Sequence, residues 1–146
     1  QGGYAFGCGQ GFRTNSSKGH VELFKSYHPD YRDGEQMRDF LYVKDAVKMI
    51  LHLAEKEKTY GLFNLGSGQA HTWNELVTPI FQALGQPPEI RYVDMPDTLR
   101  EKYQYFTRAD TAKLMETGYD GPFTSLSEAV TDYVSHYLIP GKHLGE

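Results

Sequence analysis

Arg38-Asp39-Phe40-Leu41-Tyr42-Val43-Lys44-Asp45 is the stretch on which the fold turns. Asp39 to Val43 reads as a short apolar strand with an arginine at its mouth. After Val43 the period changes. Ala46, Val47, Ile50, Leu51 and Ala54 recur at helical spacing and predict an amphipathic helix with one buried face. About twenty residues beyond the first stretch comes Phe63-Asn64-Leu65-Gly66-Ser67-Gly68. Within it, Leu62 to Leu65 reads as a short buried strand that stops in glycines.

Working outward, the same alternation of short strands and helices continues. Val21 to Phe24 alternates apolar and polar residues and reads as a strand, and Tyr27 to Met37, with Pro29 and Gly34, reads as a surface loop. Glu55-Lys56-Glu57-Lys58 reads as a solvated helix end. Thr72 and Glu75 form a capping box ahead of the stripe Leu76, Val77, Ile80, Phe81 and Leu84, which stops at Gly85 and Pro87. Pro79 lies inside that stripe, removes one backbone donor and predicts a kink or an early break. Glu89 to Val93 alternates as a further strand, and Gln104 to Phe106 is a shorter candidate. Thr107 to Asp110 gives another cap signal, with Gly118 as the stop. Ser125 to Glu128 gives a third, before Leu126, Ala129, Val130, Tyr133, Val134 and Tyr137. Three capped helices among short strands, with no repeat, make an α/β domain.

Residues 1–19 differ from the rest: six glycines, the single Cys8 and a polar Arg13-to-Lys18 run, with no period. The chain thus divides into an irregular segment 1–19, an ordered portion 20–138 and a tail 139–146 expected to fray. At 146 residues, 23% charged and 39% hydrophobic, it can bury a core. A formal charge of −4 argues against nucleic acid or an anionic membrane as partner. No apolar run reaches the length of a membrane helix, and the start does not read as a signal peptide. One cysteine excludes an intrachain disulfide and fits a reducing compartment, so a cytoplasmic location is expected.

Arg38 is the strongest candidate for chemistry. Its planar fork can grip two phosphate oxygens beside the sheet, or it can pair with Asp39 or another carboxylate. Asp45 is expected to cap the helix that follows Val43. Gly66-Ser67-Gly68 lacks both the G-x-G-x-x-G spacing and the lysine of a phosphate loop, so it reads as a tight turn, and Gly7-Cys8-Gly9-Gln10-Gly11 has no flanking strand or helix. Histidine spacing gives no metal site, and no G-x-S-x-G elbow is present. Tyr103 and Tyr105 fall in a polar segment, where either is explained by packing on the core.

Arg38 to Asp45 resembles the R-D-[FY]-x-[YH]-V-x-D segment of extended short-chain dehydrogenase/reductases that act on nucleotide sugars. Phe63 to Gly68 resembles their F-N-[LIV]-G-[ST]-G segment. Within that family the likeness is to the ADP-heptose 6-epimerase branch, through Gly61 to Gly68, Pro96-Asp97, Tyr103-Gln104, Phe106-Thr107, Ala109-Asp110, Gly118-Tyr119-Asp120 and Pro122-Phe123. It runs from about Gly19 to Leu138.

The resemblance implies the C-terminal, substrate-binding portion of a Rossmann-type enzyme. Such enzymes use NADP to oxidise the sugar at C6″ and return the hydride to its other face, for lipopolysaccharide core synthesis. By position, Phe24, Lys25, Ser26 and Tyr27 fall where the family holds its nucleotide sugar. Arg38 would grip the diphosphate and Tyr103 would contact the substrate. ADP-heptose or a related nucleotide sugar is the implied partner, and a homo-oligomer is allowed for the intact enzyme.

Departures from the pattern matter as much. None of the eleven tyrosines has a lysine four residues later, so the family's catalytic Tyr-x-x-x-Lys pair is missing, as is its glycine-rich cofactor loop. No catalytic or cofactor-binding residue is therefore assigned, and the chain alone is expected not to turn over. DNA encoding Tyr4 to Gly19 can be written so that a one-base shift gives MPSVAAKAFEQIQAKG, an amphipathic helix, which makes 1–19 a candidate out-of-frame segment. Two alternatives stay open: the same portion of a UDP-, GDP- or dTDP-sugar epimerase or dehydratase, and a non-catalytic nucleotide-sugar-binding remnant.

Overall fold

The computed structural model describes residues 12–15 and 19–142. Strand β1 (Phe12–Asn15) pairs antiparallel with β2 (His20–Phe24), although the sequence shows no period there. Residues 1–11 and 16–18 of the irregular N-terminal segment lie outside the described residues. Parallel pairing of β2 with β5 (Ile90–Val93), Val21 opposite Ile90 and Phe24 opposite Val93, completes a three-stranded sheet in the order β1-β2-β5. Everything between Phe24 and Ile90 forms the crossover that a parallel pair requires.

Within that crossover lie β3 (Met37–Arg38), α1 (Val43–Glu55), β4 (His71–Thr72) and α2 (Trp73–Ala83). Strands β3 and β4 pair antiparallel over two residues, and Met37 also bridges Phe106. Two single turns follow β5, α3 (Asp97–Arg100) and α4 (Ala112–Met115), and then α5 (Leu126–Tyr133), which continues as a π-helical turn over Val134–Leu138.

The capping boxes at Thr72/Glu75 and Ser125/Glu128 both form. Helix α2 runs unbroken through Pro79, which is itself buried, against the expected break. Past the proline the helix still closes its last turn, with Leu84 N donating to Ile80 O.

Three small cores hold the chain. Val21 and Leu23 of β2 pack on Trp73, Val77 and Phe81 of α2. Met49 of α1 packs with Leu114 and Tyr119, and Ile80 of α2 packs with Val130 and Val134. Leu76 touches the first and third cores.

Several expectations need correction. Asp39 to Tyr42 joins no ladder, and Val43 already opens α1. Each side chain instead goes to a different neighbour, Phe40 to the α2 core and Leu41 to the Met49 core. Leu62 to Leu65 forms no strand either, and Leu62 is 92% exposed. The α1 stripe is not buried: Val47 is 48%, Ile50 53% and Leu51 55% exposed, whereas Met49 and Asp45 face inward. Tyr42, not Asp45, is the N-cap residue, and Thr111, not the 107–110 stretch, precedes α4. Only Phe106 of the 104–106 candidate pairs, in a single bridge.

Candidate functional site

The stretch from Arg38 to Asp45 acts as a spine whose polar members reach out in turn. Asp39 does not pair with Arg38. Its carboxylate accepts from Ser67 N (2.9 Å), Ser67 Oγ (2.7 Å), Gly68 N (3.0 Å) and Ala109 N (3.1 Å). The first motif therefore supplies the anion around which the second motif's turn is wrapped. Gly66 must lack a side chain, because a Cβ there would collide with Ala109 and the Asp39 carboxylate. An internal carboxylate already occupies the backbone donors that a phosphate loop would offer. That turn is therefore filled from within and is structural.

Asp45 is buried and closes the far side, accepting from Thr124 N (2.7 Å), Thr124 Oγ1 (3.0 Å) and Lys48 Nζ (2.8 Å). Burial pushes its pKa up, but Lys48 and Thr124 outweigh that and hold it below the ordinary value. Tyr42 donates to Asp132, which also pairs with Lys44 at 2.8 Å. Burial and that carboxylate push the Tyr42 phenol up to about 12. These contacts fix α1 against α5 and make a scaffold.

Freed from Asp39, Arg38 has an unusual position. Its guanidinium sits over the Tyr103 ring, 5.0 Å from the centroid, and Nη1 donates to the Met37 carbonyl at 2.7 Å. It has no carboxylate partner among the described residues. A half-buried cation resting on an aromatic face, with most of its donors uncommitted, suits an anionic ligand. Tyr103 is anchored from behind by Trp73 Nε1, which donates to its hydroxyl at 3.2 Å. Burial pushes its pKa up, opposed by the Arg38 charge and the Trp73 bond.

Phe24 to Tyr27 leave the C-terminal end of β2. Phe24 O accepts from the buried Gln36 side chain (3.2 Å), and Ser26 N donates to Asp33 (2.7 Å). Lys25 Nζ and Tyr27 OH both donate to Asp94 Oδ1, at 3.1 and 2.9 Å. Those two bonds hold the Asp94 pKa below its ordinary value, and the Asp94 bond raises that of Lys25. The Arg100 guanidinium lies 3.9 Å above the Tyr27 ring and donates to its hydroxyl at 3.0 Å. Tyr27 N donates to Tyr105 OH, and Tyr105 packs edge-on against Tyr103. The segment 24–27 and the Arg38–Tyr103 pair are thereby linked through one tyrosine.

Sequence reasoning singled out Arg38 and Tyr103 but missed Asp94, Arg100 and Gln36. A signal existed only for Asp94: it follows β5 directly, as Lys25 follows β2, and parallel register sets them side by side. Nothing in the sequence shows that β2 and β5 are neighbours.

The pattern of the NAD dependent epimerase/dehydratase family matches residues 12–66. The ADP-L-glycero-D-manno-heptose-6-epimerase of Nitratidesulfovibrio vulgaris (strain Hildenborough) is 50% identical over 121 residues, covering 83% of this chain and 38% of the relative. The protein of the same name from Fusobacterium nucleatum is 40% identical over 133 residues, covering 87% of this chain and 40% of the relative. Among solved structures, Helicobacter pylori ADP-L-glycero-D-manno-heptose-6-epimerase superposes with a TM-score of 0.63 at 27% identity, over 83% of this chain and 34% of that one. The UDP-N-acetylglucosamine 4-epimerase of Methanobrevibacter ruminantium shares the fold at a TM-score of 0.64 and 23% identity, over 82% of this chain and 34% of that one. The chain spans about two-fifths of the length of the curated relatives it matches.

Proposed function

We propose that this chain, a partial homologue of the ADP-L-glycero-D-manno-heptose-6-epimerases in an NAD(P)-dependent family, is the portion of such an enzyme that holds the nucleotide sugar. One observation carries the reading: Arg38 is a half-buried guanidinium with no carboxylate partner among the described residues, set on the Tyr103 ring. A diphosphate offers the paired oxygens that this fork fits. Phe24, Lys25, Ser26 and Tyr27 border the same site through Tyr105, with the Lys25 charge already balanced by Asp94.

In the full-length enzyme the reaction would be inversion at C6″ of ADP-D-glycero-D-manno-heptose, with NADP removing and returning the hydride. The sequence has no Tyr-x-x-x-Lys pair and its Ser67–Gly68 turn is filled by Asp39, which supports binding and orientation as this chain's part. The exposed apolar face of α1, with Val47, Ile50 and Leu51, is the surface we assign to contact with the remainder of a full-length epimerase.

Calorimetric titration of the chain with ADP-heptose and with UDP-glucose tests the reading. Tighter binding of ADP-heptose is expected. Preference for the UDP-sugar contradicts the heptose assignment and favours another epimerase or dehydratase of the family. Binding of neither contradicts a substrate-holding role for these residues.

A further inference from the structure

Tyr105 joins three parts of the site that are far apart in sequence. Its carbonyl accepts from Met37 N at 2.8 Å, which fixes the residue immediately before Arg38. Its ring lies 5.2 Å from Tyr103, the ring that carries the Arg38 guanidinium. Its hydroxyl accepts from Tyr27 N at 3.1 Å, and its other ring neighbours are His28 at 5.0 Å and Tyr31 at 5.6 Å. The 27–31 loop is therefore folded onto the same side chain that braces the arginine.

We propose that Tyr105 is a positioning residue that couples the Phe24–Tyr27 segment to Arg38, so that both engage one nucleotide sugar together. The proposal rests on the substrate reading above. Its physical basis is that Tyr27 N has the Tyr105 hydroxyl as its acceptor, and Arg38 is steered by a ring packed against Tyr105. Loss of the hydroxyl alone removes the acceptor of Tyr27 N while leaving the ring packing in place.

The test uses Tyr105→Phe, Arg38→Ala and the double variant, with ADP-heptose as the probe, alongside amide exchange in the ligand-free chain. Tyr105→Phe is expected to keep the melting transition, to speed exchange at the Tyr27 amide, and to weaken ADP-heptose about three- to tenfold, the worth of one hydrogen bond. In the Arg38→Ala background the same change is expected to cost little more, because the two act as a unit. Additive losses, or binding unchanged by Tyr105→Phe, would overturn the coupling while leaving the substrate reading intact. An absence of binding to the unsubstituted chain would overturn the substrate reading itself. Exchange at Tyr27 then decides the coupling: an unchanged rate in Tyr105→Phe rejects it with or without ligand.

Discussion

Asp39 gives its two carboxylate oxygens to four donors from two other segments, Ser67 and Gly68 on one side and Ala109 on the other. Asp39→Ala would leave three part-buried backbone N–H groups without an acceptor, while the Ser67 hydroxyl keeps the Gln69 carbonyl. A loss of about 3 kcal/mol in denaturant-unfolding free energy is expected, large for one substitution. Asp45 is the second anion held inside, and its pKa lies below the ordinary carboxylate value in the fold. The unfolded chain therefore takes up the proton first as pH falls. The stability Asp45 contributes is complete above about pH 4 and disappears as the pH drops through its lower native value. Thermal melts across pH 2 to 6 are expected to show this decline, and Asp45→Asn is expected to flatten it. At this scale the sequence marked Arg38 as a residue to examine. It could not say that Asp39 turns away from Arg38, because the partners of Asp39 lie 28 to 70 residues downstream.

Helix α1 shows where element-level reading succeeds and where it stops. Periodicity locates the helix, and the structure places it at Val43–Glu55. Periodicity also names an apolar stripe, but a stripe does not say what covers it. Val47 and Ile50 remain about half exposed because no described element packs on them. Val47→Glu together with Ile50→Lys should accordingly leave the urea midpoint of this chain nearly unchanged, within about 0.5 kcal/mol per site. The equivalent pair in a full-length relative should cost several times as much if the remainder packs there. The segments 39–42 and 62–65 show the same limit. Each has strand-like composition, yet a strand exists only beside another, and none borders them among the described residues. Helix α2, by contrast, was legible almost to the residue, since its capping box and stripe are local signals; Pro79 misled because one missing donor is a small loss in a helix buried on two cores.

At the scale of the whole molecule, the proposed binding role rests on how the segments come together. The two motifs that suggested the family are physically one unit, tied through Asp39, and they set Arg38 beside Tyr103. The α/β class was readable from alternating periods. The parallel β2–β5 pairing, which brings Lys25 to Asp94, was not readable, because long-range pairing leaves no mark on either strand alone. Among the described residues the Arg38 guanidinium makes a single hydrogen bond, to the Met37 carbonyl, so removing the side chain should disturb binding far more than folding. Titrating ADP-heptose into the chain and into Arg38→Ala, with melting curves for both, is the most direct measurement. The expected result is a loss of affinity of at least about tenfold, as for charge-assisted hydrogen bonds, with little change in the melting transition. Equal affinity in the two proteins would contradict the assignment of Arg38 to the diphosphate.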